Sequence, residues 1–164
     1  MTERPSSRDA VIAFDPGTKH LGVCTMAGDA EVLLWEVMDV SGGVAEFTET
    51  MGALDDLIRR AHTAVIERQP PLNRSAVLIQ HWLELYVHSV NPRCTIVLLN
   101  AQSRVAYLRR HRPELNVSSY AQRKKSSCVF VHSLLRAADL ARFESARKKD
   151  DLAEAYILAV MFNN

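Results

Sequence analysis

Cysteine is scarce in this chain and scattered where it occurs. Cys24, Cys94 and Cys128 are odd in number, far apart and without a Cys-x-x-Cys spacing, which argues against a disulfide framework or a thiolate zinc cluster and for a reducing, intracellular compartment. No apolar run approaches the roughly 20 residues that a membrane helix needs, so no membrane association is expected. Met1 to Asp9 is polar and lacks the apolar segment of a secretion signal; it reads as a flexible tail. Glycine and proline number only six each, and no repeat or low-complexity tract interrupts the 164 residues, so 10–164 reads as a single domain large enough to bury a core. Neither sign of charge is in excess, with a net of +1, and the total does not by itself favour nucleic acid.

What is present is more informative. Arg104, Arg109, Arg110, Arg112, Arg123, Lys124 and Lys125 fall in one stretch whose only acid is Glu114. A local asymmetry of this kind marks a surface for phosphates more reliably than the overall balance does. Tyr107 and Tyr120 are interleaved with it, placed either to pack or to stack on bases.

The chain opens on an apolar run, Val11 to Phe14, that ends in Asp15 and a Pro-Gly turn before apolar residues resume toward Met26. This is the pattern of a core hairpin. Gly28-Asp29 marks a second turn and Glu31 to Val40 a third strand, giving an antiparallel meander. After Ser41-Gly42-Gly43 the period becomes helical, with Phe47, Met51, Leu54, Leu57, Ile58 and Ala61 on one face. Thr63 to Ile66 is short and apolar, as expected of a buried parallel strand, and Glu67 stands at its end. A helix capped by Asn73 or Ser75 follows, with Val77, Leu78, His81, Trp82, Leu85 and Val90 as its predicted apolar face. His81 and His88 on it are expected in core or subunit packing, and Trp82, Leu85, Tyr86 and Val90 could form a subunit contact. Thr95 to Leu99 is a fifth strand, Pro113 to Ser119 a loop, and helices are predicted from Lys125 and over Asp150 to Phe162. The expected class is α/β, a five-stranded mixed sheet of three antiparallel strands then two parallel ones, flanked by helices.

Acids carry the functional signal. Asp15 and Glu67 end two strands whose loops gather at one rim. Asp151 and Glu154, three apart in the last helix, share a face that continues into apolar packing. Each has an ordinary reading alone, as turn residue, surface charge or helix N-terminal acid. Together they could meet, and four carboxylates side by side repel unless cations intervene. Oxygen-only ligands suit Mg²⁺, with Mn²⁺ able to substitute, and two such ions about 4 Å apart hydrolyse phosphodiesters.

Phe14-Asp15-Pro16-Gly17-Thr18-Lys19-His20-Leu21-Gly22, Val65-Ile66-Glu67-Arg68-Gln69 and Lys149-Asp150-Asp151-Leu152-Ala153-Glu154-Ala155 resemble the three signature blocks of the RuvC-like Holliday junction resolvases of the RNase H-like superfamily. The poxvirus, iridovirus and fungal mitochondrial branch is the most similar. The resemblance implies an RNase H-like fold, a viral or organellar setting and Asp15, Glu67, Asp151 and Glu154 as catalytic metal ligands for two Mg²⁺ ions. The last position is usually aspartate in the family, which leaves Asp150 as an alternative to Glu154. The resemblance also implies a lysine near the start of the penultimate helix that contributes to activity in the viral branch, and Arg123-Lys124-Lys125-Ser126-Ser127 resembles that segment; Lys125 is preferred here over Lys124. The resemblance further implies a homodimer cutting a four-way DNA junction symmetrically, with Arg68, Arg104, Arg109, Arg110, Arg123, Lys124 and Lys125 as DNA contacts. Two rival readings are a nuclease of the same fold acting on RNA, hybrid or another branched DNA, and a non-catalytic nucleic-acid-binding relative. Asp15-x-Gly17-Thr18 also resembles the phosphate loop of actin-like ATPases, which need a second domain and more glycine-rich loops than this sequence holds.

Overall fold

Alternation along the strands divides the core into two halves. A computed structural model describes residues 10–163; the tail expected over 1–9 lies outside the described residues. Strands β1 (Ala10–Pro16), β2 (His20–Met26) and β3 (Val32–Asp39) form the antiparallel meander. Strand β4 (Ala61–Arg68) then runs parallel to β1, and β5 (Thr95–Asn100) parallel to β4. The order is β3-β2-β1-β4-β5, the sheet expected from the sequence.

Side chains of a strand point to opposite faces in turn. Ile12 and Phe14 of β1, with Ala64 and Ile66 of β4, enter a core closed by α1 (Val44–Gly52), α2 (Asp55–Arg60) and α3 (Arg74–Val90). Val11 and Ala13 of β1, with Cys24 of β2 and Val65 of β4, enter the other. That second core is closed by α4 (Ala101–His111), α5 (Tyr120–Leu134), α6 (Ala137–Ser145) and α7 (Lys149–Val160). Helix α7 is buried continuously from Leu152 to Ala159 and lies against β1 and β2. The same alternation sends Asp15 and Glu67 toward α7, since each stands two residues beyond a side chain of that core.

Several elements depart from the sequence reading. The single helix expected through Ala61 is two, broken at Ala53-Leu54 just after Gly52, a weak helix former. Ala61 begins β4 instead. Basic residues after β5 form α4, and α6 is a further helix, a short one whose only fully buried side chain is Phe143. The stripe on α3 is rotated: Ala76, Ile79, Gln80, Leu83 and Val87 are buried, while Leu78, His81, Leu85 and His88 face outward. His81 and His88 are therefore not core residues. Asn73 caps α3 as expected, its side chain accepting a hydrogen bond from the Ala76 amide. Among the described residues no helix is long and apolar enough to cross a membrane.

Candidate active site

Helix α7 is anchored by its first turns, and the anchors set where its acids point. The buried indole of Trp35 on β3 donates to the Leu152 carbonyl at 2.8 Å and stacks on Phe143 with ring centres 5.5 Å apart, tying α6 and α7 to one side chain. Gly22 of β2, paired with Asp15 across the hairpin, lets the helix in: a Cβ there would lie 2.6 Å from the Asp151 carbonyl oxygen. Asp151 and Glu154 thus sit over the end of β1.

One carboxylate oxygen each from Asp15, Asp151 and Glu154 lie mutually within 4.8 Å, a spacing that fits shared ligation of a hard cation whose bonds to oxygen run about 2.0–2.6 Å. Glu67, buried at the end of β4, is joined to this trio through Arg104. The guanidinium reaches from the first turn of α4, with Nη2 3.0 Å from Glu67 Oε2 and Nη1 2.5 Å from Glu154 Oε1. Burial and the neighbouring charges of Glu67 and Glu154 hold the Asp15 carboxyl well above the usual carboxylate range. Burial pushes Glu67 up to about 7 against the pull of Arg104. Burial, with Asp150 beside it, also raises Asp151. Burial is the shared first cause, and the proximity of like charges adds to it.

Two cations face these acids. Arg104 is disfavoured by burial, but the charges of Glu67, Glu154 and Asp15 outweigh that and raise its pKa further. Lys124 of α5 is likewise opposed by burial and held protonated by its hydrogen bond to Asp150 and the charge of Glu154. Its Nζ donates to Asp150 and lies 3.8 Å from Asp151. Asp150, although partly buried, is kept below the usual carboxylate range by that lysine. Asp150 therefore pairs with Lys124 while Glu154 joins the trio with Asp15 and Asp151.

The acids floor a cleft of about 690 Å³ whose wall includes Lys19, His20, Tyr120, Arg123, Lys124 and Lys148. Lys125 is exposed and lines an adjoining hollow with Cys128, Arg147, Lys149 and Asp150; Lys124, not Lys125, reaches the acids. Of the other expected DNA contacts, Arg68, Arg109 and Arg110 are exposed on β4 and the last turn of α4, and Arg123 is half-buried at the cleft. Arg104 is spent internally on the acids. Tyr107 packs edge-on against Phe130, whereas Tyr120 is exposed at the cleft with the Lys124 ammonium 5.2 Å from its ring centre. Lys19, Lys148 and Arg147 were not singled out from the sequence, although Lys19 stands in the Pro-Gly turn and Lys148 directly precedes the acid-bearing helix.

A mixed sheet in this order, with acids at the ends of β1 and β4 and on the last helix, defines an RNase H-like fold of the RuvC type. The structure matches T. thermophilus RuvC, solved in complex with a Holliday junction substrate, with a TM-score of 0.59 and 18% identity over 93% of this chain and 91% of RuvC. Residues 9–163 match the family described as Poxvirus A22 protein. The chain belongs to that family. It is also 30% identical over 106 residues to the uncharacterized protein 97L of Invertebrate iridescent virus 3, an alignment that takes in 65% of this chain and 50% of that protein.

Proposed function

We propose that this protein is a divalent-metal-dependent endonuclease that resolves four-way DNA junctions. The observation that carries the reading is the convergence of Asp15, Glu67, Asp151 and Glu154 at the floor of a cleft walled by Lys and Arg, in a chain of the Poxvirus A22 protein family. Such a floor holds cations and repels phosphates; the walls do the reverse, so a scissile phosphodiester is drawn in and stopped over the acids. Asp15, Asp151 and Glu154 would hold one Mg²⁺ and Glu67 would contribute to a second. Bound divalent ions supply Lewis acidity and a nucleophilic water at neutral pH. Lys124 beside Asp150 is placed to neutralise charge on the phosphate, with Arg123, Lys148 and the exposed Arg68, Arg109, Arg110 and Lys125 positioning the flanking backbone.

A homodimer is the assembly proposed. Leu78 and Leu85, seven apart on α3, leave 49% and 70% of their surface exposed, and a two-fold axis matches a junction cut in two symmetric places. The deciding experiment uses a synthetic four-way junction with Mg²⁺, alongside linear duplex and RNA–DNA hybrid. Paired symmetric nicks in the junction alone support the proposal. Cleavage of hybrid or duplex in preference assigns a different nuclease, and junction binding without turnover assigns a non-catalytic binder.

A further inference from the structure

The guanidinium of Arg104 stands where a cation shared by Glu67 and Glu154 would stand. Its side chain is nine-tenths buried, and it spans the two carboxylates with one nitrogen each, at 3.0 Å and 2.5 Å. An arginine held for structure usually grips one carboxylate with a two-pronged, aligned fork. Here the fork is split: one nitrogen meets each carboxylate, and among the described residues Arg104 Nε is buried without a hydrogen-bond partner. Each carboxylate is held by a single nitrogen rather than by both prongs, a contact that another cation can replace. Glu67 also lies outside the trio of Asp15, Asp151 and Glu154 whose oxygens come within 4.8 Å, so the centre has one half open to an ion and one half filled by arginine.

We propose that Arg104 is an internal counter-cation in the second metal position, so that the centre loads in order: one divalent ion at Asp15, Asp151 and Glu154 with Arg104 in place, and a second only when the guanidinium releases Glu67. This inference rests on the metal-centre reading given above. The local charges favour the sequence. Asp15, Glu67, Asp150, Asp151 and Glu154 carry five negative charges when ionised, Arg104 and Lys124 carry two positive ones, and a single divalent ion leaves one negative charge. A second ion overloads the site with positive charge until a substrate phosphate enters, so occupancy of the second position is coupled to DNA. The same arginine stops the empty centre from repelling itself apart.

The test is a Mn²⁺ titration of the metal-free full chain without DNA, by calorimetry and by the electron paramagnetic signal of free Mn²⁺, comparing the native protein with Arg104→Met and Arg104→Lys. The native protein is expected to take up one ion. Arg104→Met is expected to take up two, the second at least about tenfold tighter than in the native protein, because a like charge a few Å away has gone. Should Arg104→Met fail to fold without metal, as judged by circular dichroism, Arg104→Lys decides: a point charge cannot bridge both carboxylates, and a gain in second-ion affinity is again expected. Two ions of similar affinity in the native protein, or an unchanged single ion in the folded variants, overturns the role of Arg104. Absence of Mn²⁺ uptake in all three proteins overturns the metal centre itself.

Discussion

Gly22 and Asp151 touch backbone to backbone: the Asp151 carbonyl oxygen occupies the space a Cβ at position 22 would need, 2.6 Å away, with the Ala155 methyl carbon at 3.3 Å. Because Gly22 also pairs with Asp15, one missing side chain brings an acid of β1 and an acid of α7 into the same centre. Gly22→Ala is expected to push α7 outward, costing about 1–3 kcal/mol as overpacking does and spreading the trio of oxygens. Thermal melts should fall and Mn²⁺ affinity should drop with them; a variant that melts lower yet binds Mn²⁺ as well as the native protein would show that the close approach serves packing alone.

Glu67→Gln keeps the shape of the strand end and removes its charge. Cleavage is expected to fall by more than the about 10–100-fold typical of losing an outer-shell partner, while junction binding in a gel-shift assay persists. Equal losses in binding and turnover would place Glu67 in DNA contact or folding rather than in the chemistry.

The raised acids fix the sign of the pH response. Burial lifts Glu67 from 4.5 to about 7, and Asp15 is lifted as well, so over that window the folded state keeps protons that the unfolded chain releases. Stability of the metal-free protein therefore declines as pH climbs from about 5 to about 8. Metal ligands must be deprotonated, so Mg²⁺ affinity should strengthen over the same range, and added Mg²⁺ should restore the melting temperature by binding only the folded state. A metal-free melt that climbs with pH contradicts the shared acidic floor.

Lys124 and Lys125 adjoin in sequence and both line the neighbouring hollow, but it is Lys124 that pairs with Asp150 and comes near Asp151. Lys124→Ala is expected to slow cleavage by about 10–100-fold, with Lys125→Ala affecting mainly affinity. Removing both should flatten the log–log salt dependence of junction binding by about two phosphate contacts. A slope unchanged in the double variant returns the pair to plain surface charge.

Leu85→Asp places a carboxylate in the centre of the exposed α3 row. Sedimentation velocity should report a dimer for the native chain and a monomer for the variant, with little change in melting temperature because Leu85 is 70% exposed. A native monomer at micromolar concentration removes the proposed symmetric pair.

Local chemistry decided much of this in advance. The continuous apolar runs Val11 to Phe14 and Thr63 to Ile66, the Pro-Gly turn, the Asn73 cap and the i, i+3 spacing of Asp151 and Glu154 are short-range features, and the sheet followed from them. The alternation that buries Val11 and Ala13 also sends Asp15 to the α7 side, and the same holds for Val65 and Glu67. Weak periodicity hid the rest. Helix α4 carries too many charges to show an apolar stripe, α6 buries only Phe143, and on α3 the stripe read through Leu78, His81 and Leu85 gave way to the one through Ile79, Leu83 and Val87 that the sheet covers.

Arg104 shows the limit most clearly. In sequence it is the first of a run of basic residues and reads like the others, as a contact for phosphate. Only the packing of α4 against β5 and α5 turns it inward, because charge at a distance in sequence has no direction until the backbone gives it one. Sequence determined which strands form and which acids lie at their ends; tertiary structure decided which cation meets those acids, Lys124 rather than Lys125 and Arg104 from within, since that depends on helix rotation and on the space left by Gly22.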